Sequence, residues 1–210
     1  MVDTLREGRV QLQANRWLRQ FMTTNLAFVP VILNPTFYAI YAAEFLGESI
    51  NVDEFLVFVG LGLLAGIPLW RVVRRHGGAR GVYLSSAAIS MAAVALCIAA
   101  QQWQIVPGLW AFGPAMLLSA VANQALLPAA YDWIFGHADG ADAAVLISCT
   151  HIVISVGMIV AGFALGLIAE GAPAVWPLLV MLVLTIAAGA SATQAPGSQR
   201  ETSQDTARSR

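Results

Sequence analysis

The chain has 210 residues, 58% of them hydrophobic and 11% charged, with a net charge of -1. A soluble domain carries about 25% charged residues, so this composition, with a mean hydropathy of +0.70, excludes an ordinary soluble domain and implies an integral membrane protein. The net charge gives no indication of nucleic-acid binding, and none is expected.

All eleven basic residues are arginines, confined to Arg6 to Arg19, Arg71 to Arg80 and Arg200 to Arg210, outside the apolar runs. Residues 1–20 lack the apolar core of a signal peptide. Leu5, Val10, Leu12, Trp17 and Leu18 among arginines predict instead an amphipathic segment on the inner membrane surface.

A spanning helix needs about 20 mostly apolar residues, and six such runs follow. The first, Phe21 to Phe45, is interrupted by Asn25, Pro30, Asn34 and Pro35. The second is Phe55 to Val73 and the third Gly81 to Ala100. The fourth, Ile105 to Tyr131, contains Pro107, Pro114, Asn123, Gln124 and Pro128. The fifth is Ala143 to Ala169 and the sixth Pro173 to Thr193. Cys97 and Cys149 sit inside apolar runs and read as small core residues, not as a metal or disulfide pair. The tail 194–210, rich in Ser, Thr and Gln, is expected to be disordered.

The connections alternate in character. Residues 47–54 are acidic, 71–80 hold Arg71, Arg74, Arg75 and Arg80, 101–104 are uncharged, and 132–142 carry Asp132, His137, Asp139 and Asp142. Arginine clusters stay on the cytoplasmic side, so six spans place both termini in the cytoplasm. Gly62 and Gly66, and again Gly162 and Gly166, are four apart, the small-xxx-small spacing of closely packed membrane helices. Prolines and polar residues gather in the first and fourth runs, which suggests two three-helix units, each opened by an irregular helix.

These residues resemble the C-terminal half of a major facilitator superfamily (MFS) transporter. The segment GLGLLAGIPLWRVVRRHGGARGVYL is similar to that family's loop between helices eight and nine, with Arg75 matching the motif arginine, Gly77 the loop glycine and Arg80 the distal basic residue. Arg71 stands where the loop-opening glycine is expected, and Arg74 where an aspartate is, which puts that loop's usual latch in doubt. LREGRVQLQANRWLRQFM resembles the linker entering helix seven and NPTFYAIYAAEFLG the end of that helix. Residues 123–170 resemble helices ten and eleven with their loop. The resemblance covers roughly residues 5–193 and implies an all-α bundle of six transmembrane helices in a bacterial inner membrane. A complete member has two such halves, so a second six-helix half, as a separate chain or a second copy, is the expected partner besides lipid. The linker-like opening favours loss of an N-terminal half.

The resemblance also implies that a substrate cavity is lined by the first helix of each unit. Asn34, Tyr38 and Tyr41 share a face of the first; Ser119 and Asn123 share one of the fourth, with Gln124 adjacent. These five side chains besides Tyr41 (Asn34, Tyr38, Ser119, Asn123 and Gln124) are the substrate-cavity candidates. The bland alternative is helix–helix hydrogen bonding for the amides and interfacial anchoring for the tyrosines. Glu44 reads as a solvated helix end, His151 as a hydrogen-bonded packing residue, and Asp132 as a partner of the loop arginines. No HExxH, phosphate-binding glycine loop or GxSxG elbow is present, so no enzyme, metal or cofactor is expected. The expectation is transport of a small solute by alternating access. The alternative is a truncated or accessory membrane protein that packs with a partner and does not transport.

Overall fold

In a computed structural model, the described residues are 15–46, 52–103, 109–138, 140–171, 173 and 175–195. They form helices α1 (Arg16–Ala27), α2 (Val29–Leu46), α3 (Val52–Trp103), α4 (Leu109–Gln124), α5 (Leu126–Phe135), α6 (Gly140–Gly171) and α7 (Val175–Ala192). Five stretches are long and apolar enough to cross a membrane: Arg16–Ala43, Phe55–Ala100, Phe112–Phe135, Asp142–Gly171 and Val175–Ala192. Helices close their own backbone hydrogen bonds, which is what a lipid interior demands. Residues 1–14, 47–51 and 196–210 lie outside the description, and with them most of the expected amphipathic segment and of the tail and part of the first acidic connection; Asp53 and Glu54, expected in that connection, are inside α3.

Three of the five stretches are broken: Phe55–Ala100 at Gly78, and the two that correspond to the first and fourth apolar runs, close to a proline. α1 gives way to α2 at Phe28, where Pro30 brings no N–H to the ladder. α4 gives way to α5 at Ala125, just before Pro128, which likewise lacks a donor. Side chains from elsewhere attend the α4–α5 break: the Trp70 indole donates to the Val121 carbonyl at 2.7 Å and the Ser86 hydroxyl to Ala122 at 2.9 Å.

Trp70 and Ser86 both belong to α3, which is folded back on itself at Gly78. There φ is 58° and ψ -154°, a combination open essentially to glycine. The first arm runs alongside α4, with Gly62 against Leu117 and Ala120 and Gly66 against Gln124. The second arm runs the opposite way along α4, from Ser86 beside Ala122 to Ala93, Val94 and Cys97 in one buried cluster with Phe112, Ala115 and Met116. The arginine segment expected as a loop is therefore helical up to this turn. The turn is made by Gly78, not by Gly77, the glycine that matched the family pattern. Asp132, expected at the start of a loop, is likewise inside α5, and Arg16 to Gln20 open α1 instead of forming a separate surface segment.

One end of the bundle gathers the start of α1, the Gly78 turn, α5, the start of α6 and the end of α7. Trp17 stacks on His137, Phe21 meets Trp133 edge-on, and Thr24 donates to the Ser191 carbonyl. Leu18, Trp133, Ala143, Leu146, Ala192 and Ala195 share one core cluster there. Both described chain ends thus lie at the same end, together with Arg16, Arg19 and the four arginines of α3. The outer faces contrast with this core. In the most apolar window of the α4–α5 stretch 61% of residues are buried, against 17% in α3 and 6% in α6. Ile159, Val160 and Phe163 of α6 and Leu56, Val57 and Leu64 of α3 are all more than 60% exposed, as lipid or a partner helix requires.

Of the two glycine pairs, one is packed. A Cβ on Gly62 would fall 2.5 Å from the Leu117 carbonyl, and one on Gly66 onto the Gln124 side chain. Cβ atoms at Gly162 and Gly166 would meet nothing within 4 Å, so the close packing expected of that pair is not made among the described residues. The α6 glycine that does touch a neighbour is Gly157, against Leu26 and Val29.

Gly66→Leu is expected to destabilise the bundle by about 1–3 kcal/mol, the cost of overpacking, and Gly166→Leu to leave its melting temperature in detergent unchanged. Gly78→Ala is expected to cost about 1–3 kcal/mol because it forces an L-residue into a glycine-only conformation. Gly77→Ala, whose Cβ enters open space, is the control.

Candidate functional site

The polar side chains inside the bundle fall into two groups. The first is satisfied. Asn25 donates to the Phe21 carbonyl at 2.9 Å and accepts from the Tyr83 hydroxyl at 3.1 Å. Tyr83 in turn meets Phe28 and Trp133 with ring centroids 5.0 and 6.1 Å apart. Ser86 has Ala122, and Thr150 and Thr185 bond the carbonyls one turn back, Leu146 and Met181. Apolar surroundings make an unpaired polar group expensive, and these residues meet that demand locally or across one helix contact.

The second group is buried without a hydrogen-bond partner among the described residues. It comprises both side-chain atoms of Asn34, the Tyr38 hydroxyl, Ser90 Oγ, Ser119 Oγ, Asn123 Oδ1 and Gln124 Oε1. Asn34, Tyr38, Ser90 and Ser119 are completely buried. Native proteins leave few such groups, and each calls for an explanation.

The helix registers bring three of them to one height. α1–α2 and the second arm of α3 run the same way, from Asn25 at Tyr83 to Tyr38 in the cluster of Ala93, Val94 and Cys97. α4 runs against both: Tyr41 meets Phe112 at 5.8 Å, and Ser86 reaches Ala122. Asn34 lies one turn before Tyr38, Ser90 one turn after Ser86, and Ser119 one turn after Ala115. Counting turns from these fixed points places Asn34, Ser90 and Ser119 in one layer across α2, α3 and α4. Tyr38 lies a turn to one side and Asn123 a turn to the other. The layer offers amide, hydroxyl and phenol groups, donors and acceptors both, and no charge. It can hydrogen-bond a polar molecule; among the described residues it holds no base or nucleophile paired for covalent chemistry.

By this count Asn34 and Ser119 lie at one height, with Tyr38 and Asn123 a turn away on either side. Gln124 is set apart, lying against Gly66 of the first arm of α3. Ser90 was missed by the sequence reading. It lies in a run of alanines and small residues, and only its helical spacing from Ser86 could have pointed to it.

The other polar residues singled out in the sequence include the arginines of α3 and Asp132, which sit at the arginine end. Arg74 forms an ion pair with Asp132, both about half exposed, the pairing expected for Asp132. His151 accepts or donates a 2.9 Å hydrogen bond with the Tyr131 hydroxyl and ties α6 to α5. Arg71, Arg75 and Arg80 are exposed. The side chain of Glu44 lies outside the described set. Surface ion pairs contribute little to stability, so Arg74–Asp132 is a positional tie between α3 and α5 more than a source of stability.

The two polar groups respond differently to substitution. Tyr83→Phe strands a buried Asn25 acceptor and is expected to cost about 1–3 kcal/mol. Asn34→Leu replaces an unpaired polar group with an apolar one of similar size and is expected to hold or raise the melting temperature, as such exchanges do. A loss of stability in Asn34→Leu as large as that in Tyr83→Phe would make Asn34 a packing residue.

Among known proteins, the chain is similar to uncharacterized proteins of Mycobacterium tuberculosis and Mycobacterium bovis, each 37% identical over 180 residues. The match covers 86% of this chain but 35% of each relative, so the chain spans about a third of the length of the curated relatives it matches. No family model matches the sequence. No solved structure matches it.

Proposed function

We propose that this chain is one half of an MFS-type secondary transporter that moves a small solute across the membrane by alternating access. The observation that carries the reading is the layer of Asn34, Ser90 and Ser119 on three helices, with Tyr38 a turn away, whose buried polar atoms have no hydrogen-bond partner among the described residues. A layer without partners costs stability, and a solute that it binds is a reason to keep it. In this reading Asn34 and Asn123 hold the solute, and the breaks in α1–α2 and α4–α5 lie on the helices that line its path, as in transporters built from irregular helices.

Six crossings fit the geometry. The 46-residue apolar stretch of α3 is long enough to span a hydrocarbon core of about 30 Å twice, and it doubles back at Gly78. With α1–α2, α4–α5, α6 and α7 this would make six, with both described chain ends on the arginine side, which the positive-inside rule makes cytoplasmic. The exposed apolar faces of α3 and α6 are where a second six-helix half would pack, and the greater length of the mycobacterial relatives leaves room for one. Rocking of one half against the other would open the polar layer to each side in turn.

Alternating access can be tested without knowing the solute. In the native membrane, with Cys97 and Cys149 replaced by Ala, Asn34→Cys and Ser119→Cys are expected to react with a membrane-impermeant maleimide applied from either face. Labelling from one face only, or from neither, would refute the transport reading and leave the accessory protein. Once a transported solute is found, Asn34→Ala with Asn123→Ala is expected to lower its flux at least about tenfold, the effect of losing roughly 1.4 kcal/mol of binding. Unchanged flux would remove these residues from the site.

A further inference from the structure

The arginine end of the bundle holds a cavity that the buried polar layer does not use. It measures about 590 Å³, within the size range of ligand clefts, and lies between the first arm of α3 and the α4–α5 break. Arg71, Arg74 and Arg75 all line it, with Ile67 and Pro128 as its apolar part. The Trp70 indole, held by its bond to the Val121 carbonyl, forms a further wall.

Arg71, Arg74 and Arg75 are three and four residues apart on one helix face, where like charges repel. Asp132 answers Arg74. Among the described residues, Arg71 and Arg75 have no carboxylate. The site thus carries two uncompensated guanidiniums, whose forked donors match phosphate oxygens. Gln124 also lines the cavity, and its Oε1 is buried without a donor.

We infer that this cavity binds a phosphate ester that also carries a hydrogen-bond donor. The phosphate lies between Arg71 and Arg75, the hydroxyl or ammonium group reaches Gln124, and Ile67, Trp70 and Pro128 take the apolar remainder. Two sources share this chemistry: the headgroup of an anionic phospholipid, as in basic pockets between membrane helices, and a free phosphorylated small molecule. The inference holds whether or not the polar layer transports a solute.

The test is native mass spectrometry of the full chain in detergent, titrated with phosphatidylglycerol and with phosphatidylcholine, each in the presence and absence of glycerol 3-phosphate. Phosphatidylglycerol or glycerol 3-phosphate is expected to bind at least about tenfold more tightly than phosphatidylcholine, since a hydrogen bond to a charged group exceeds the roughly 1.4 kcal/mol that tenfold represents. Arg71→Gln with Arg75→Gln is expected to abolish that preference, while Arg16→Gln with Arg19→Gln, an equal loss of charge at the same end, keeps it. Ile67→Trp, which fills the cavity without altering charge, is expected to abolish it too. Displacement of the lipid by glycerol 3-phosphate identifies a free ester as sufficient; lipid binding that resists it identifies the phospholipid. Equal losses in the two double variants, no loss in either, or no preference over phosphatidylcholine would overturn the inference.

Discussion

The close approach of the first arm of α3 to α4 is the constraint from which the rest of the bundle follows. Gly62 and Gly66 remove the side chains that would hold the helices apart, and the Leu117 carbonyl and the Gln124 side chain occupy the space gained. With little hydrophobic drive between helices in lipid, contact of this kind and interhelical hydrogen bonds are what bind them. Once the arm is seated, Trp70 reaches Val121. Once the chain has turned at Gly78, Ser86 reaches the next carbonyl along, Ala122. Two arms of one helix are thus anchored to adjacent carbonyls beside a break in α4–α5.

That anchoring sets both of the molecule's polar regions. It fixes the second arm of α3 in register with α4, which puts Ser90 level with Ser119, and Asn25–Tyr83 then sets α2 so that Asn34 joins them. It also holds the arginine-bearing end of the first arm over the α4–α5 break, where Arg74 meets Asp132 and a cavity forms. The two regions differ in kind. The inner one is neutral and, among the described residues, unpartnered; the outer one is cationic and open. Their placement, one within the bundle and one at its end, follows from the cost of burying charge.

Satisfaction is uneven in a way that stability alone does not explain. Asn25 and Asn34 are both buried in the first apolar stretch, nine residues apart. One has a tyrosine hydroxyl and a carbonyl; the other has nothing. The exposed apolar faces show a parallel contrast. α6 presents Ile159, Val160 and Phe163 outward, with Gly162 and Gly166 on open surface, so its pattern of small and large residues has no counterpart among the described residues. A protein that spends polar burial at one place and leaves a patterned helix face open at another is arranged around something besides its own folding.

The sequence by itself determined the helical class, the apolar stretches, the position of charge at their ends and two of the stretches that would break. Those properties are local: hydropathy, a missing proline N–H and the exclusion of arginine from hydrocarbon each act through a residue's own position along the chain. The tertiary structure decided which features are used. It chose Gly78 over Gly77 for the turn, the pair Gly62 and Gly66 over Gly162 and Gly166 for packing, and Asn25 over Asn34 for a hydrogen bond. It also added Ser90 to the buried layer. Each of those choices depends on what lies across a helix contact, tens of residues away in sequence; spacing along one helix can point to a candidate, as Ser86 does to Ser90, but not to what faces it.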